Sequence, residues 1–320
     1  MAEVTKISWT DATFNPWQGC VKVSPACRHC YAERDTKRFG KVRWGQSGTR
    51  VLTSEAYWKK PLKWNRDAQS AGVRKRVFCA SLADVFEDWE GRVRQTKGKT
   101  LVHTSCGWQE EVTEQHEGCS RVTINDCRKR LFHLIDATPN LDWLLLTKRP
   151  ENILRMWVPY FPGGYIAEAG SMNQEGPRKN VWLGTSVENQ VYADKRIPEL
   201  LKCRHLAPVL FLSCEPLLGP VDLMEIHERT ETGDRFYSAM GTGSPEGAKI
   251  DWVIAGGESG PDARPTDADW LRSLRDQCVE NDVPFHFKQW GEFDQNGVRS
   301  GKKAAGNTMD GVLHLEFPQG

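Results

Sequence analysis

Long apolar runs are missing from this 320-residue chain. No stretch approaches the roughly eighteen residues of a membrane-crossing helix, and nothing near the N-terminus resembles a signal peptide. The expectation is a cytoplasmic protein with no membrane partner. Net charge is also lacking: 43 basic residues against 42 acidic ones leave +1, so the chain as a whole offers no electrostatic case for nucleic acid or lipid. No glycine-rich phosphate-binding fingerprint follows the first apolar run, which weighs against a dinucleotide fold. Neither an internal repeat nor a domain-sized linker interrupts the chain, so residues 1–320 are read as one domain.

What is present is ordinary for a globular protein, with 39% hydrophobic and 27% charged residues. One pattern recurs: a short apolar run ends abruptly in polar, charged or glycine residues. It occurs as RVFCASLADVFED from Arg76, DWLLLTKRPEN from Asp142 and NVWLGTSVENQ from Asn180. It returns as VLFLSCEPLLG from Val209, DWVIAGGESG from Asp251 and VPFHFKQWGEF from Val283. Such runs fit strands buried on both faces, as in a parallel sheet. Helical stretches lie between several of them. Thr123 is placed to cap a helix with Ile124, Cys127, Leu131, Leu134 and Ile135 on one stripe, and Asp267 to cap another bearing Trp270, Leu271, Leu274 and Cys278. The alternation predicts an α/β fold, a partial or full parallel (β/α) barrel, with a polar insertion at 91–122 after an early strand. Residues 162–179 and 225–250 read as surface loops. In such folds functional groups gather at the carboxyl ends of the strands.

Charge is unevenly spread. Thirteen Lys or Arg stand against four acids between Glu33 and Arg76, with Tyr57, Trp58 and Trp64 among them. Basic residues interleaved with aromatics suit a nucleic-acid backbone with stackable bases; a solvated basic face is the plainer reading.

Ten cysteines in a chain without an export signal suggest ligands, catalysts or buried thiols rather than a disulfide framework. Three of them, Cys20, Cys27 and Cys30, crowd into QGCVKVSPACRHCYA. A structural zinc site closes with four ligands, so the triad would need a remote one. A redox pair would use Cys27 and Cys30 and leave Cys20 over. An iron–sulfur cluster held by three thiolates keeps one iron open for S-adenosylmethionine, whose reductive cleavage yields a 5′-deoxyadenosyl radical.

GCVKVSPACRHCYAE resembles the cluster loop of radical S-adenosylmethionine enzymes, with Cys-x6-Cys-x2-Cys where their usual spacing is Cys-x3-Cys-x2-Cys. With ISWTDATFNPWQGC, LLLTKRPEN, VWLGTSVENQ, CEPLLGPV, WVIAGGESG and FHFKQWGE, it also resembles a family carried by phages and mobile elements and named for a three-cysteine motif. The resemblance implies a four-iron–four-sulfur cluster on Cys20, Cys27 and Cys30, S-adenosylmethionine as cofactor, and an electron donor such as flavodoxin or ferredoxin. By position it assigns Ser81 and Asp84 to the methionyl amine, and Thr185, Ser186, Glu188 and Asn189 to the ribose and adenine, with Glu215 nearby. Glu258, in GGE, falls to the substrate or to a loop–backbone role. Lys288, by its own chemistry, is a candidate ligand for a phosphate or carboxylate, and Glu215, Glu258 and Lys288 are the candidate catalytic groups beside Cys214. Cys214 is a candidate hydrogen-atom donor at the barrel mouth, as in a DNA-repair lyase of that superfamily; an inert buried thiol is the plainer reading.

The insertion carries His103, Cys106, His116 and Cys119, two His-x2-Cys pairs that would close a structural zinc site and form a small stapled subdomain. The leading expectation is a radical S-adenosylmethionine enzyme acting on a nucleic acid or nucleotide, in repair or modification. Its rivals are a non-enzymatic zinc-stabilised nucleic-acid-binding protein and a barrel hydrolase or lyase working through Asp84, Glu188, Glu215 and Glu258.

Overall fold

The computed structural model describes residues 5–37, 42–91, 93–95, 101–104, 107–110, 120–158, 177–241, 243–244 and 247–319. Seven strands make one sheet: β1 (Ala12–Thr13), β2 (Lys75–Cys79), β3 (Leu141–Thr147), β4 (Val181–Ser186), β5 (Val209–Cys214), β6 (Trp252–Gly256) and β7 (Phe285–Gln289). Every neighbouring pair is parallel, and spatial order equals chain order. A sheet wound in one direction this way curls, and here it forms a half-barrel with all carboxyl ends at one mouth.

Strand alternation sorts the core into two. On the convex face Val77, Trp143, Leu145, Leu183, Leu210, Leu212, Val253 and Phe285 are buried against helices. On the concave face Phe78, Leu144, Trp182, Phe211, Trp252 and Ile254 fill the amino end of the half-barrel together with Trp9. Gly184 of β4 makes room there: a Cβ on it would sit 2.4 Å from the Phe211 ring.

Five helices matter for the site: α1 (Tyr31–Lys37), α2 (Lys60–Ala71), α3 (Ile124–Asp136), α4 (Gln190–Leu201) and α5 (Ala268–Glu280). Thr123 and Asp126 form a capping box at the start of α3, and Asp267 caps α5 through the Asp269 amide. The β7 edge is covered by the chain's last residues. The Phe287 amide donates to the His314 carbonyl (2.8 Å) and the Glu316 amide to that of Phe285 (3.3 Å). Phe317 then closes the amino end, 5.3 Å from Trp252, under the Arg76 guanidinium at 3.7 Å.

One expectation changes. Residues 225–250 are not merely loop, since Ile226–Thr230 and Gly233–Tyr237 pair as an antiparallel hairpin. In the insertion, Leu101–Thr104 pairs antiparallel with both Gly107–Glu110 and Ser120–Arg121. His103 lies in that strand, while Cys106, His116 and Cys119 lie outside the described residues.

Candidate functional site

The carboxyl mouth opens into a cavity of about 660 Å³, within the range of small-molecule and cofactor pockets. One wall carries the segment from Gly19 to Tyr31. Gly19 turns it with φ +104°, where a Cβ would lie 2.6 Å from the Thr49 carbonyl oxygen, so this turn needs glycine. A short 3-10 turn, Pro25–Cys27, follows, and Cys30 immediately precedes α1. Cys20, Cys27 and Cys30 all line the cavity.

Buried charges pin this segment. Glu87 takes the Arg50 guanidinium in a fork (2.6 and 2.8 Å) and accepts from the Val21 amide at 2.6 Å. Arg149 donates to Asp84 (2.7 Å) and to the Val21 carbonyl (2.8 Å). Glu188 pairs with Arg196 at 2.7 Å and accepts from the Ala26 amide at 3.5 Å. The β2, β3 and β4 ends thus hold the cysteine segment through its backbone.

Burial raises the Cys20 thiol well above its ordinary range, with Glu87 and Asp84 adding to the effect and Arg149 opposing it. Burial likewise raises Cys30, against backbone hydrogen bonds and Lys148. Ionising Cys30 disfavours ionising Cys20, and ionising Cys27 disfavours ionising Cys30, so the thiols feel one another across the cavity wall.

Among the described residues no three His, Cys, Asp or Glu side chains are arranged to hold a metal ion. That arrangement offers no support to a single zinc on the triad. A four-iron cluster makes a different demand, because each thiolate binds its own iron and the ligands stand wider apart. Three soft donors on one wall of a cofactor-sized cavity suit such a cluster.

The other walls are strand ends. Ser81, Asp84, Lys148, Ser186, Ser213 and Glu215 line the cavity, as do Glu258, Lys288 and Gln289. Ser81 accepts from the Asn15 amide nitrogen at 3.0 Å, and Lys148 donates to Ser186 at 3.1 Å. Lys288 Nζ lies 2.9 Å from Glu215 Oε1. Glu258 is gripped by Arg264 (2.8 Å to each carboxylate oxygen) and faces His29 Nδ1 at 3.5 Å. Its burial pushes the carboxyl up, but Arg264 outweighs this and holds it below the usual range.

Several expected residues stand elsewhere. Cys214 is fully buried with the convex-face core, in β5 between Ser213 and Glu215, which face the cavity; burial raises its thiol strongly. It is therefore a packing residue, not a hydrogen-atom donor at the mouth. Thr185 is on the same convex side and donates to the Thr147 carbonyl (3.0 Å), and Asn189 caps α4. Neither lines the cavity, and nor does Glu188. Asp84 does, yet it accepts from Thr147 (2.6 Å), Lys148 N (3.1 Å), Phe86 N (3.1 Å) and Arg149 (2.7 Å), so its oxygens are taken.

The basic block is also reshaped. Tyr57, Trp58 and Trp64 are core residues, the first two packed on Phe14, and are not available to stack on bases. Arg50 is fully buried, while Arg34, Lys37, Lys63, Arg74 and Arg76 pair with Asp35, Glu33, Asp67, Asp142 and Asp11. Sequence reasoning missed Lys6 and Lys302, which reach the cavity from the two terminal segments. Nothing in their local sequence marks them.

Fold and site together define a parallel half-barrel protein with a thiol-walled cavity at its carboxyl mouth. Residues 4–100 and 120–318 match the family described as protein of unknown function DUF5131, and the chain belongs to that family. The match passes over most of the 91–122 insertion. No curated protein and no solved structure matches the chain. Among the described residues no helix is long and apolar enough to cross a membrane.

Proposed function

We propose that the chain is a radical S-adenosylmethionine enzyme in which Cys20, Cys27 and Cys30 hold a four-iron–four-sulfur cluster at the mouth of the half-barrel. The observation that carries this reading is the opening of all three thiols onto one cavity, which polar strand-end groups such as Ser81, Ser186, Ser213 and Glu215 also line. When bound, such a cluster supplies the electron that splits the sulfonium of S-adenosylmethionine and leaves a 5′-deoxyadenosyl radical.

The chain's own residues divide the remaining work. Asp84, Glu87 and Arg149 position the cysteine segment and do not touch ligand, because their polar atoms are spent on it and on each other. Ser81 and Ser186, at the ends of β2 and β4, offer hydroxyls for the cofactor's polar groups. Glu215 and Lys288 face the interior as a charge pair able to accept and donate hydrogen bonds to a bound molecule. The buried aromatic floor of Phe78, Trp182, Phe211 and Trp252 keeps water from entering below.

The carboxylate-based alternative is weaker on this geometry. Of the four carboxylates that reading relies on, Asp84, Glu188 and Glu258 are each locked to an arginine, and Glu215 is paired with Lys288. The substrate remains a nucleic acid or nucleotide in this proposal, approached through the cavity rather than through stacking on the block at 34–76. Anaerobic chain with S-adenosylmethionine and a chemical reductant is expected to release 5′-deoxyadenosine. Release that is absent from reduced, iron-loaded protein, or that persists in Cys27→Ala, overturns the reading.

A further inference from the structure

Where β7 ends the sheet, the N-terminal segment closes against it, with the Ser8 hydroxyl 2.8 Å from His286 Nε2. Three lysines from separate parts of the chain meet the cavity at this seam. Lys6 precedes the Ser8 contact, Lys288 belongs to β7, and Lys302 begins the short helix Lys302–Ala305. Lys288 is paired with Glu215. Lys6 and Lys302 have no ion-pair partner among the described residues, and Glu292 nearby accepts from the Gly260 amide at 3.0 Å.

Gathering ammonium groups around one cavity is unfavourable, through their mutual repulsion, unless something negative joins them. Burial lowers the Lys302 ammonium's proton affinity, and Lys288 and Lys6 lower it further, while Glu215 and Glu292 compensate only in part. The thiol wall is not among these influences. Lys148, by contrast, acts on Cys30. The cavity therefore has two chemically different sides, soft thiols by α1 and ammonium groups at the β7 seam.

We infer that the seam of Lys6, Lys288 and Lys302 is a binding site for a phosphate group of the ligand that enters the cavity. Three ammonium groups against the Glu215 and Glu292 carboxylates leave a positive surplus that favours an anion, and the acceptor oxygens of a phosphate suit N–H donors drawn from three different segments. A phosphate held at the seam leaves the body of the molecule pointing across the cavity toward the thiol wall. This site stands independently of the cluster, since none of its groups is a proposed ligand of it.

The test uses the full chain without added metal and isothermal calorimetry with inorganic phosphate, methyl phosphate and acetate. Saturable binding of phosphate, at least tenfold tighter than acetate, is expected. Equal binding of methyl phosphate assigns the site to esterified ligands, and binding of inorganic phosphate alone assigns it to the free anion. Lys302→Gln is expected to weaken binding about tenfold, the scale of one charge-assisted hydrogen bond, and Lys288→Gln at least as much. Lys303→Gln, one residue on and outside the cavity lining, is expected to leave it unchanged. Binding should persist when Cys20, Cys27 and Cys30 are all alanine, which separates this site from the cluster. No saturable phosphate binding, equal weakening by Lys303→Gln, or loss in the cysteine-free chain overturns the inference. Lys302 is exposed, so its replacement leaves the fold in place and keeps the test informative even if Lys288→Gln frees Glu215 and disturbs the pocket.

Discussion

Asp84 shows how a buried carboxylate at a strand end can serve a site without touching ligand. It is 5% exposed and accepts from two backbone amides, a threonine and an arginine. Through Arg149 it fixes the Val21 carbonyl, and so the chain beside Cys20. Breaking a buried pair by neutralising one partner strands the other charge, which costs about 3–5 kcal/mol. Asp84→Asn is accordingly expected to lower unfolding stability by about that much in a urea titration, and to loosen the cysteine segment. A loss below about 0.5 kcal/mol, the range of ordinary surface changes, would deny Asp84 this role. The sequence made Asp84 conspicuous as a strand-end acid, but it could not show that four donors already satisfy it. Cys214 was more legible than it first looks. Ser213 and Glu215 flank it, and a period of two sends it to the face opposite theirs, away from the cavity.

At the level of elements, the longer, largely buried strands were readable because each is a compact apolar run ended by polar residues. β1 was not, since it is two residues long and its neighbours look like loop. α2 escaped because its buried Pro61, Trp64 and Ala68 sit among lysines and arginines, so the stretch reads as charge before it reads as an amphipathic stripe. α4 was hidden by Pro198 in its last turn, although Ala193, Ile197, Leu200 and Leu201 are buried at helical spacing. The closing of the β7 edge by the chain terminus is a tertiary event with no local signature. It carries a pH signature instead. His286, fully buried beside Trp252 and Phe317, is pushed from an ordinary value of 6.5 to about 4, chiefly by burial. The native state therefore resists the proton that the unfolded chain accepts. This contribution is complete above the unfolded value and is lost as pH falls from about 6.5 toward 4, a change on the order of 3 kcal/mol. Stability measured across that window should fall more steeply in the native chain than in His286→Phe. Identical slopes would place the pH dependence elsewhere.

On the scale of the whole molecule, the sequential parallel sheet has one consequence that governs the rest. All strand carboxyl ends reach one mouth, so residues from Cys20 to Lys302 share one cavity although they lie far apart in the chain. The sequence made the thiols and most of the strand-end groups visible; it hid the contribution of the termini, because only the closed fold brings Lys6 and Lys302 to the seam. Family membership spans nearly the whole half-barrel and leaves residues 101–119 outside the match. Within the insertion, Val93–Gln95 falls inside the match and pairs with Arg50–Leu52, while Leu101–Thr104 and Gly107–Glu110 pair in a small sheet separate from the seven-stranded one.

The most direct test of the central claim is iron and acid-labile sulfide per chain after anaerobic reconstitution, with each cysteine replaced in turn. About four irons and four sulfides per chain are expected in the native protein, as one cubane cluster requires. Cys20→Ala, Cys27→Ala and Cys30→Ala should each lose most of that iron, while Cys214→Ala, buried on the convex face, should keep it. A chain that takes up no iron, or whose iron is indifferent to replacement of Cys20, Cys27 or Cys30, would contradict the account.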